Sequence, residues 1–239
     1  PTHVKYMIPN DKKAEYLIIN AVECEPYLTS DNRVLLEHSE EVLIGIEIMK
    51  KALGVKYAKV GIENNKPEAI AQMQKAAKDF EGTEIVPLKT KYPQGAEKQL
   101  VYALTKREIP SGKLPIEVGC VVNNVGTALA IYYAVQKNRP LIDNILTYTG
   151  KDVKENKNLL VRVGTPIRSI IDYCGGLPES TGKIISGGPM MGKAIVNIDA
   201  PTVKTTSSIL VMTEKESKRK TQTNCLRCGK CVSACPMGL

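Results

Sequence analysis

The sequence predicts an α/β fold: a layer of parallel strands and helices, then a small α+β module, then a short cysteine segment. Three observations carry this. Apolar runs at residues 16–20, 57–62, 84–88 and 118–123 alternate with stretches of helical periodicity, which is the pattern of parallel strands joined by helical crossovers. Beyond Pro140 the texture changes to short strands broken by glycine pairs. Four of the seven cysteines fall between residues 225 and 235.

Residues 16–20 (Tyr-Leu-Ile-Ile-Asn) read as a buried strand that ends on a polar residue, followed by a loop over 21–33. Apolar residues at 35, 42, 43, 46, 49 and 53 predict one helix from Val34 to Leu53, ended by Gly54. A strand at 57–62 leads to a helix over 67–79 with Pro67 in its first turn, where the missing N–H costs nothing. A third strand follows at 84–88, a helix at 94–106, a Pro/Gly-bearing loop at 109–115, and a strand at 118–123. That strand runs through Asn123-Asn124 into a helix at 127–137. Parallel crossovers of this kind place ligands at the carboxyl ends of the strands. A boundary falls near 138–142. The second module takes strands at 142–149 and 159–163, a short helix at 166–174, a Gly175-Gly176 turn, and short strands over 184–212 interrupted by Ser186-Gly187-Gly188-Pro189-Met190-Met191-Gly192.

Composition narrows the function classes. A hydrophobic fraction of 43% and a charged fraction of 24% describe an ordinary globular chain. With no Trp and one Phe, an aromatic platform for stacking bases would rest on Tyr alone. No apolar run reaches the roughly 18 residues of a bilayer span. The net charge of +8 is uneven: residues 201–239 hold seven bases and two acids, so the excess sits beside the cysteines rather than along a polyanion-binding face.

The four clustered cysteines form Cys225-Leu-Arg-Cys228-Gly-Lys-Cys231-Val-Ser-Ala-Cys235-Pro236. This is C-x2-C-x2-C-x3-C-P, the spacing of bacterial iron–sulfur ligation. Gly229 allows close backbone approach to inorganic sulfide, and Pro236 turns the chain away. Structural zinc prefers two close pairs set apart by a longer loop, and a disulfide framework fits poorly with an odd cysteine count. Because the fourth cysteine of such a run ligates the other cluster in two-cluster ferredoxins, Cys225, Cys228 and Cys231 are expected to serve one [4Fe–4S] cluster and Cys235 a second. Completing the second needs chain beyond Leu239. Cys24, Cys120 and Cys174 read as small buried residues. Lys218, Arg219 and Lys220 form a basic linker ahead of the cysteines.

Asn20, Glu23 and Glu25 follow one parallel strand, and Asn123 and Asn124 end another. Amides at strand ends suit the hydrogen-bonding edge of a flat ring, and carboxylates there can hold sugar hydroxyls. The same residues are also ordinary turn formers. There is no G-x-G-x-x-G and no Walker motif. His3 and His38 are the only histidines, and neither enters a nucleophilic triad.

The segments Pro-Thr-His-Val-Lys (1–5), Ile-Asn-Ala-Val-Glu-Cys-Glu-Pro-Tyr-Leu-Thr-Ser-Asp-Asn-Arg (19–33), Val-Val-Asn-Asn-Val-Gly-Thr (121–127), Gly-Gly-Pro-Met-Met-Gly (187–192) and the cysteine run to Leu239 together resemble the C subunit of the Rnf ion-translocating electron transport complexes. That family is similar to the flavin- and NADH-binding subunit of respiratory complex I. The resemblance implies a Rossmann-like flavin domain over 1–138, a β-grasp module over 139–213, and the start of a ferredoxin-like domain over 214–239. It implies FMN, NAD(H) and two [4Fe–4S] clusters as cofactors, with electrons passing between NAD(H) and ferredoxin and driving Na+ or H+ transport. Lys5, Asn20, Glu23, Asn123, Asn124 and Thr127 are implied as flavin contacts, and Glu25 and Glu63 as contacts near the dinucleotide. The complex I relative has Asp-Glu-Gly-Glu where this chain has Val22-Glu23-Cys24-Glu25, so one acidic flavin contact is absent. The family also has a glycine-rich loop ahead of the Pro-Thr-His-Val-Lys segment. The implied setting is the cytoplasmic side of the membrane, as a peripheral subunit among others, with the isolated stretch inactive. A cobalamin reductase and an electron-relay scaffold without flavin are the alternatives; neither involves nucleic acid.

Overall fold

The computed structural model describes residues 2–219 and 221–235. Pro1, Lys220 of the basic linker, and Pro236–Leu239 with the turn expected at Pro236 lie outside the described residues.

A short helix α1 (Thr2–Tyr6) leads to strand β1 (Tyr16–Ala21), helices α2 (Ser30–Glu37) and α3 (Ser39–Leu53), strand β2 (Tyr57–Glu63) and helix α4 (Pro67–Ala76). Strand β3 (Thr83–Leu88), helix α5 (Glu97–Thr105), strand β4 (Cys120–Asn124) and helix α6 (Val125–Gln136) complete the first layer. All strand pairs are parallel, in the order β3-β2-β1-β4. The chain steps outward from β1 to β2 to β3 and then returns past β1 to β4. This reversal makes the gap between the carboxyl ends of β1 and β4 the topological switch point, where open α/β sheets take their ligands.

The central strand β1 and its neighbour β4 read as apolar runs because both faces are covered. Leu17, Ile19 and Ala21 pack with Leu43, Ile46 and Met49 of α3 and with Val125 and Ala128 of α6. Ile18, Val22 and Val122 pack on the other side with Leu100, Val101 and Leu104 of α5. The return crossover thus lies on the face opposite the outward ones, as crossover handedness requires. Gly54 ends α3 at φ 66°, a left-handed cap that glycine adopts without a Cβ penalty.

The single helix expected from Val34 to Leu53 is instead two. Helix α2 starts four residues earlier, at Ser30, and His38 breaks the chain at φ −133° before Ser39 restarts it. The last helix of the layer likewise starts two residues ahead of the expected 127. The Asn124 side chain accepts the Gly126 N–H at 2.8 Å, an N-cap that satisfies an otherwise orphaned donor.

Strands β5 (Asp143–Gly150), β6 (Lys157–Arg162), β7 (Thr181–Ser186), β8 (Lys193–Ile195) and β9 (Ser208–Thr213), with helix α7 (Ile167–Tyr173), form the second unit. Its sheet order is β6-β5-β9-β7-β8. Only β5 and β9 are parallel; the other pairs are antiparallel. Helix α7 buries Ile167, Ile170 and Ile171 against Leu146, Tyr148, Ile209 and Val211. This mixed sheet gripping one helix is the expected β-grasp arrangement. Helix α8 (Glu214–Ser217) follows, closed by a capping box between Thr213 and Glu216, and α9 (Lys230–Ala234) lies within the cysteine segment. Among the described residues, no helix is long and apolar enough to cross a membrane.

Candidate cofactor site

The switch point gathers most of the expected residues. Asn20 ends β1, and its side chain is used twice: Nδ2 donates to the Gly95 carbonyl at 2.9 Å and Oδ1 accepts the Val22 N–H at 3.1 Å. Gly95 passes so close that a Cβ would sit 2.5 Å from the Val22 carbonyl oxygen. Asn20 therefore sets the exit of β1 and pins the loop ahead of α5 beside it.

Glu23 lies just beyond. Its Oε1 accepts the Asp31 N–H at 2.9 Å and the Ser30 hydroxyl at 3.3 Å, and its Oε2 takes the Lys66 ammonium at 2.8 Å. A carboxylate on the Asp31 N–H in the first turn of α2 complements the positive end of that helix. The Glu23 and Lys66 side chains are 4% and 11% exposed, so this is a buried pair in which either partner depends on the other.

Asn124 bridges the two strand ends. Besides capping α6, its Nδ2 donates to Asp31 Oδ2 at 2.9 Å and lies 3.4 Å from the Asn20 carbonyl. Burial, and next the Glu23 carboxylate, push Asp31 up to about 7, against the Asn124 hydrogen bond and the Lys66 charge. Glu63, at the end of β2, is 2% exposed. Burial raises it, opposed by Lys66 and by a backbone N–H of Lys91, and its Oε1 has no partner.

Asn123 is buried next to Asn124, and its Nδ2 also has no hydrogen-bond partner. A buried amide donor at a switch point costs free energy unless something accepts from it. This orphaned donor has the chemistry to meet an acceptor on the polar edge of a flavin ring; Glu63, on β2 across β1, leaves an orphaned acceptor at the end of its own strand. Lys5 reaches in from α1, donating to the Val122 carbonyl at 2.7 Å and pairing with Glu97 at 3.2 Å. Thr127 stands in the first turn of α6.

A groove of about 1140 Å³ opens at this point and runs on between α2, α6 and the second sheet, which is larger than the roughly 300–1,000 Å³ of an ordinary small-molecule pocket. Glu23, Glu25, Asp31, Asn124 and Thr127 line it, whereas Lys5, Asn20, Glu63 and Asn123 stand outside its lining. Cys24, also on the wall, is half-buried, and burial raises its thiol above the usual range. Glu25 is turned away from the switch point toward the second unit: its carboxylate accepts the Met190 N–H at 2.9 Å and the Met191 N–H at 2.8 Å.

Sequence reasoning missed Asp31, Lys66 and Gly95. Asp31 sits well past the end of β1, where nothing local marks it as part of a strand-end site. Lys66 offered no local signal, since its partner lies 43 residues away.

The cysteine segment is separate from this site. Cys225, Cys228 and Cys231 are exposed and Cys235 is partly buried. The Arg227 N–H donates to Cys225 Sγ at 3.3 Å, and Gly229 sits at φ 71°. Four closely spaced thiols with a glycine among them are the right donor chemistry for a soft iron–sulfur centre. Among the described residues no three such side chains are gathered as ligands, so the chemistry fits and the geometry is not assembled.

Residues 1–133 match the family described as the Nuo51 FMN-binding domain. The chain belongs to that family. Residues 146–194 match the SLBB domain, within the β-grasp unit. Over its whole length the chain is 53% identical to the C subunit of the proton-translocating ferredoxin:NAD(+) oxidoreductase complex of Clostridium ljungdahlii, covering 52% of that protein. It is 46% identical to the C subunit of the Na(+)-translocating counterpart from Acetobacterium woodii, covering 54%. It is 43% identical to the C subunit of the ion-translocating oxidoreductase complex of Rhodobacter capsulatus, covering 46%. The chain thus spans about half the length of the curated relatives it matches. Among solved structures, an NAD+-reducing [NiFe]-hydrogenase chain in the H2-reduced state superposes with a TM-score of 0.74 at 19% identity, over 90% of this chain and 43% of that one. This likeness concerns the fold. The Nuo51 family membership puts the orphaned Asn123 amide in a flavin domain.

Proposed function

We propose that this chain is the FMN-bearing half of a peripheral subunit in a membrane-bound complex. The complex exchanges electrons between NAD(H) and ferredoxin and couples the exchange to Na+ or H+ translocation. Membership in the Nuo51 FMN-binding domain family and full-chain likeness to the C subunits of such complexes support this reading. The observation that carries it to particular residues is the buried, unpartnered Asn123 amide at the β1/β4 switch point.

In this reading Lys5, Asn123 and Thr127 hold the flavin directly. Asn20, Glu23 and Asn124, whose side chains are committed within the protein, shape the backbone around it. Glu25 and Glu63 belong to the dinucleotide side. FMN would supply the exchange between hydride transfer and single-electron steps, which is the cofactor's own chemistry. The protein's share is orientation: Asn124 fixes the N-terminus of α6, and Glu23 with Lys66 fixes that of α2. Cys225, Cys228 and Cys231 take one [4Fe–4S] cluster and Cys235 contributes to a second. The domains run 1–138, 139–213 and 214–239, and the partners are the other subunits on the cytoplasmic side of the membrane.

Flavin content of the full-length protein tests the site. Asn123→Leu should lower the FMN copurified per chain at least about tenfold while the fold and melting temperature are kept, because a leucine fills the place and donates nothing. Unchanged flavin content in that variant would contradict the assignment.

A further inference from the structure

The Gly187–Gly192 loop joins β7 to β8 in the second unit, yet it is built around a side chain of the first. The Gly187 N–H donates to the Ser208 carbonyl at 2.8 Å, and the Gly192 N–H closes the turn on the Gly188 carbonyl at 2.8 Å. This turn leaves the N–H groups of Met190 and Met191 directed at one point, and the Glu25 carboxylate occupies it with one oxygen on each. Two charge-assisted hydrogen bonds from consecutive amides hold a carboxylate more firmly than neutral partners would. Gly188 is part of the fit: a Cβ there would lie 2.5 Å from the Glu25 carboxyl carbon.

Glu25 belongs to the loop between β1 and α2, which also carries Glu23 and Cys24. That loop is fastened to the second unit a second time, where it enters α2. The Thr29 N–H donates to Thr147 Oγ1 at 3.1 Å, and the Thr29 hydroxyl lies 3.1 Å from Asn158 Oδ1. Asn158 in turn is 2.8 Å from Thr147. The loop that shapes the switch point is therefore held by the second unit at its middle and where it enters α2.

We propose that the Gly187–Gly192 loop is a positioning element of the cofactor site, binding the Glu25 carboxylate through the Met190 and Met191 amides and so fixing the β1–α2 loop for the dinucleotide. This explains Gly-Gly-Pro-Met-Met-Gly physically: the glycines let the turn close and let Glu25 approach, and the two methionines supply amides rather than side chains. The positioning half of the proposal rests on the NAD-linked reading of this chain; the latch itself does not.

Gly188→Ala is a suitable probe, because Gly188 is not among the glycines at positive φ and the atoms nearest an added Cβ all belong to Glu25. In the full-length protein with its natural cofactors, hydrogen exchange at the amides of 190 and 191 should quicken about tenfold or more in this variant, since the acceptor is displaced. The KM for NADH should rise about fivefold or more with kcat changed less than twofold, the split expected when binding geometry alone is disturbed. Glu25→Gln, which keeps the side chain's size, should also quicken exchange at 190 and 191, and it stands in if the alanine variant fails to fold. Unchanged exchange in a folded variant overturns the latch. Faster exchange with an unchanged KM overturns the positioning role. If the parent protein shows no response to NADH, the NAD-linked reading fails and the positioning role with it, while the exchange measurement still decides the latch.

Discussion

Asp31 carries the clearest pH signature of any single residue. Its carboxyl is raised from 3.8 to about 7 by burial and by Glu23, so the folded protein holds a proton there that the unfolded chain has already released. Stability contributed by this site is therefore full below about pH 4 and is lost as pH rises toward and through 7. Asp31→Asn keeps an acceptor for Asn124 and removes the ionisation. It should stabilise the protein at pH 8 by on the order of 1–2 kcal/mol, after discounting for partial exposure, and flatten the slope between pH 4 and 7 in urea unfolding. A parallel pair of pH curves for the two proteins would contradict the assignment. The neighbouring Lys66–Glu23 pair predicts the opposite kind of change. Lys66→Met should cost about 3 kcal/mol by leaving a buried carboxylate unpaired, and adding Glu23→Gln should recover part of the loss in melting experiments.

At the scale of elements, the packing of α3 on α6 is the most demanding contact. Gly45 lies in α3 so close to α6 that a Cβ would sit 2.8 Å from the Ala128 carbonyl carbon. Gly45→Ala should therefore destabilise the protein by about 2 kcal/mol or more despite alanine's better helix propensity; a neutral or stabilising change in melting temperature would show that the helices separate freely. The strands and their parallel sense were legible because β1 and β4 are buried on both faces and read as apolar runs, with only Lys59 interrupting β2, whereas the order of the strands came only with the fold. The β-grasp strands were legible from their glycine punctuation. The start of α2 was not, because its first-turn donors are satisfied by Glu23 from the preceding loop rather than by a local capping residue. The break at His38 was hidden too, since the apolar residues on either side keep helical spacing across it. Asn123 and Asn124 could be named from strand ends and Glu63 only from the family resemblance, but whether a side chain is committed, as in Asn20, or orphaned, as in Asn123, depends on partners such as Gly95 that only the fold brings near. The cysteine run was legible from spacing alone. Iron analysis of the full-length protein should give about eight irons per chain and a loss of about half or more in Cys228→Ser; about four irons in the parent would contradict the assignment of Cys235 to a second cluster.

For the molecule as a whole, two sheets share one groove: the Rossmann-like layer supplies the switch point and the β-grasp unit holds its loop. The uneven charge fits this division, since the basic excess accompanies the cysteine segment and the flavin layer is nearly balanced. In the proposed function this chain places a flavin where NAD(H) can reduce it. The direct measurement is the visible spectrum of the full-length protein, purified with its flavin, before and after NADH is added without oxygen. The flavin absorption should bleach, and the Asn123→Leu protein, depleted of flavin, should show no such change. A parent protein that retains its flavin and stays unbleached by NADH would contradict it.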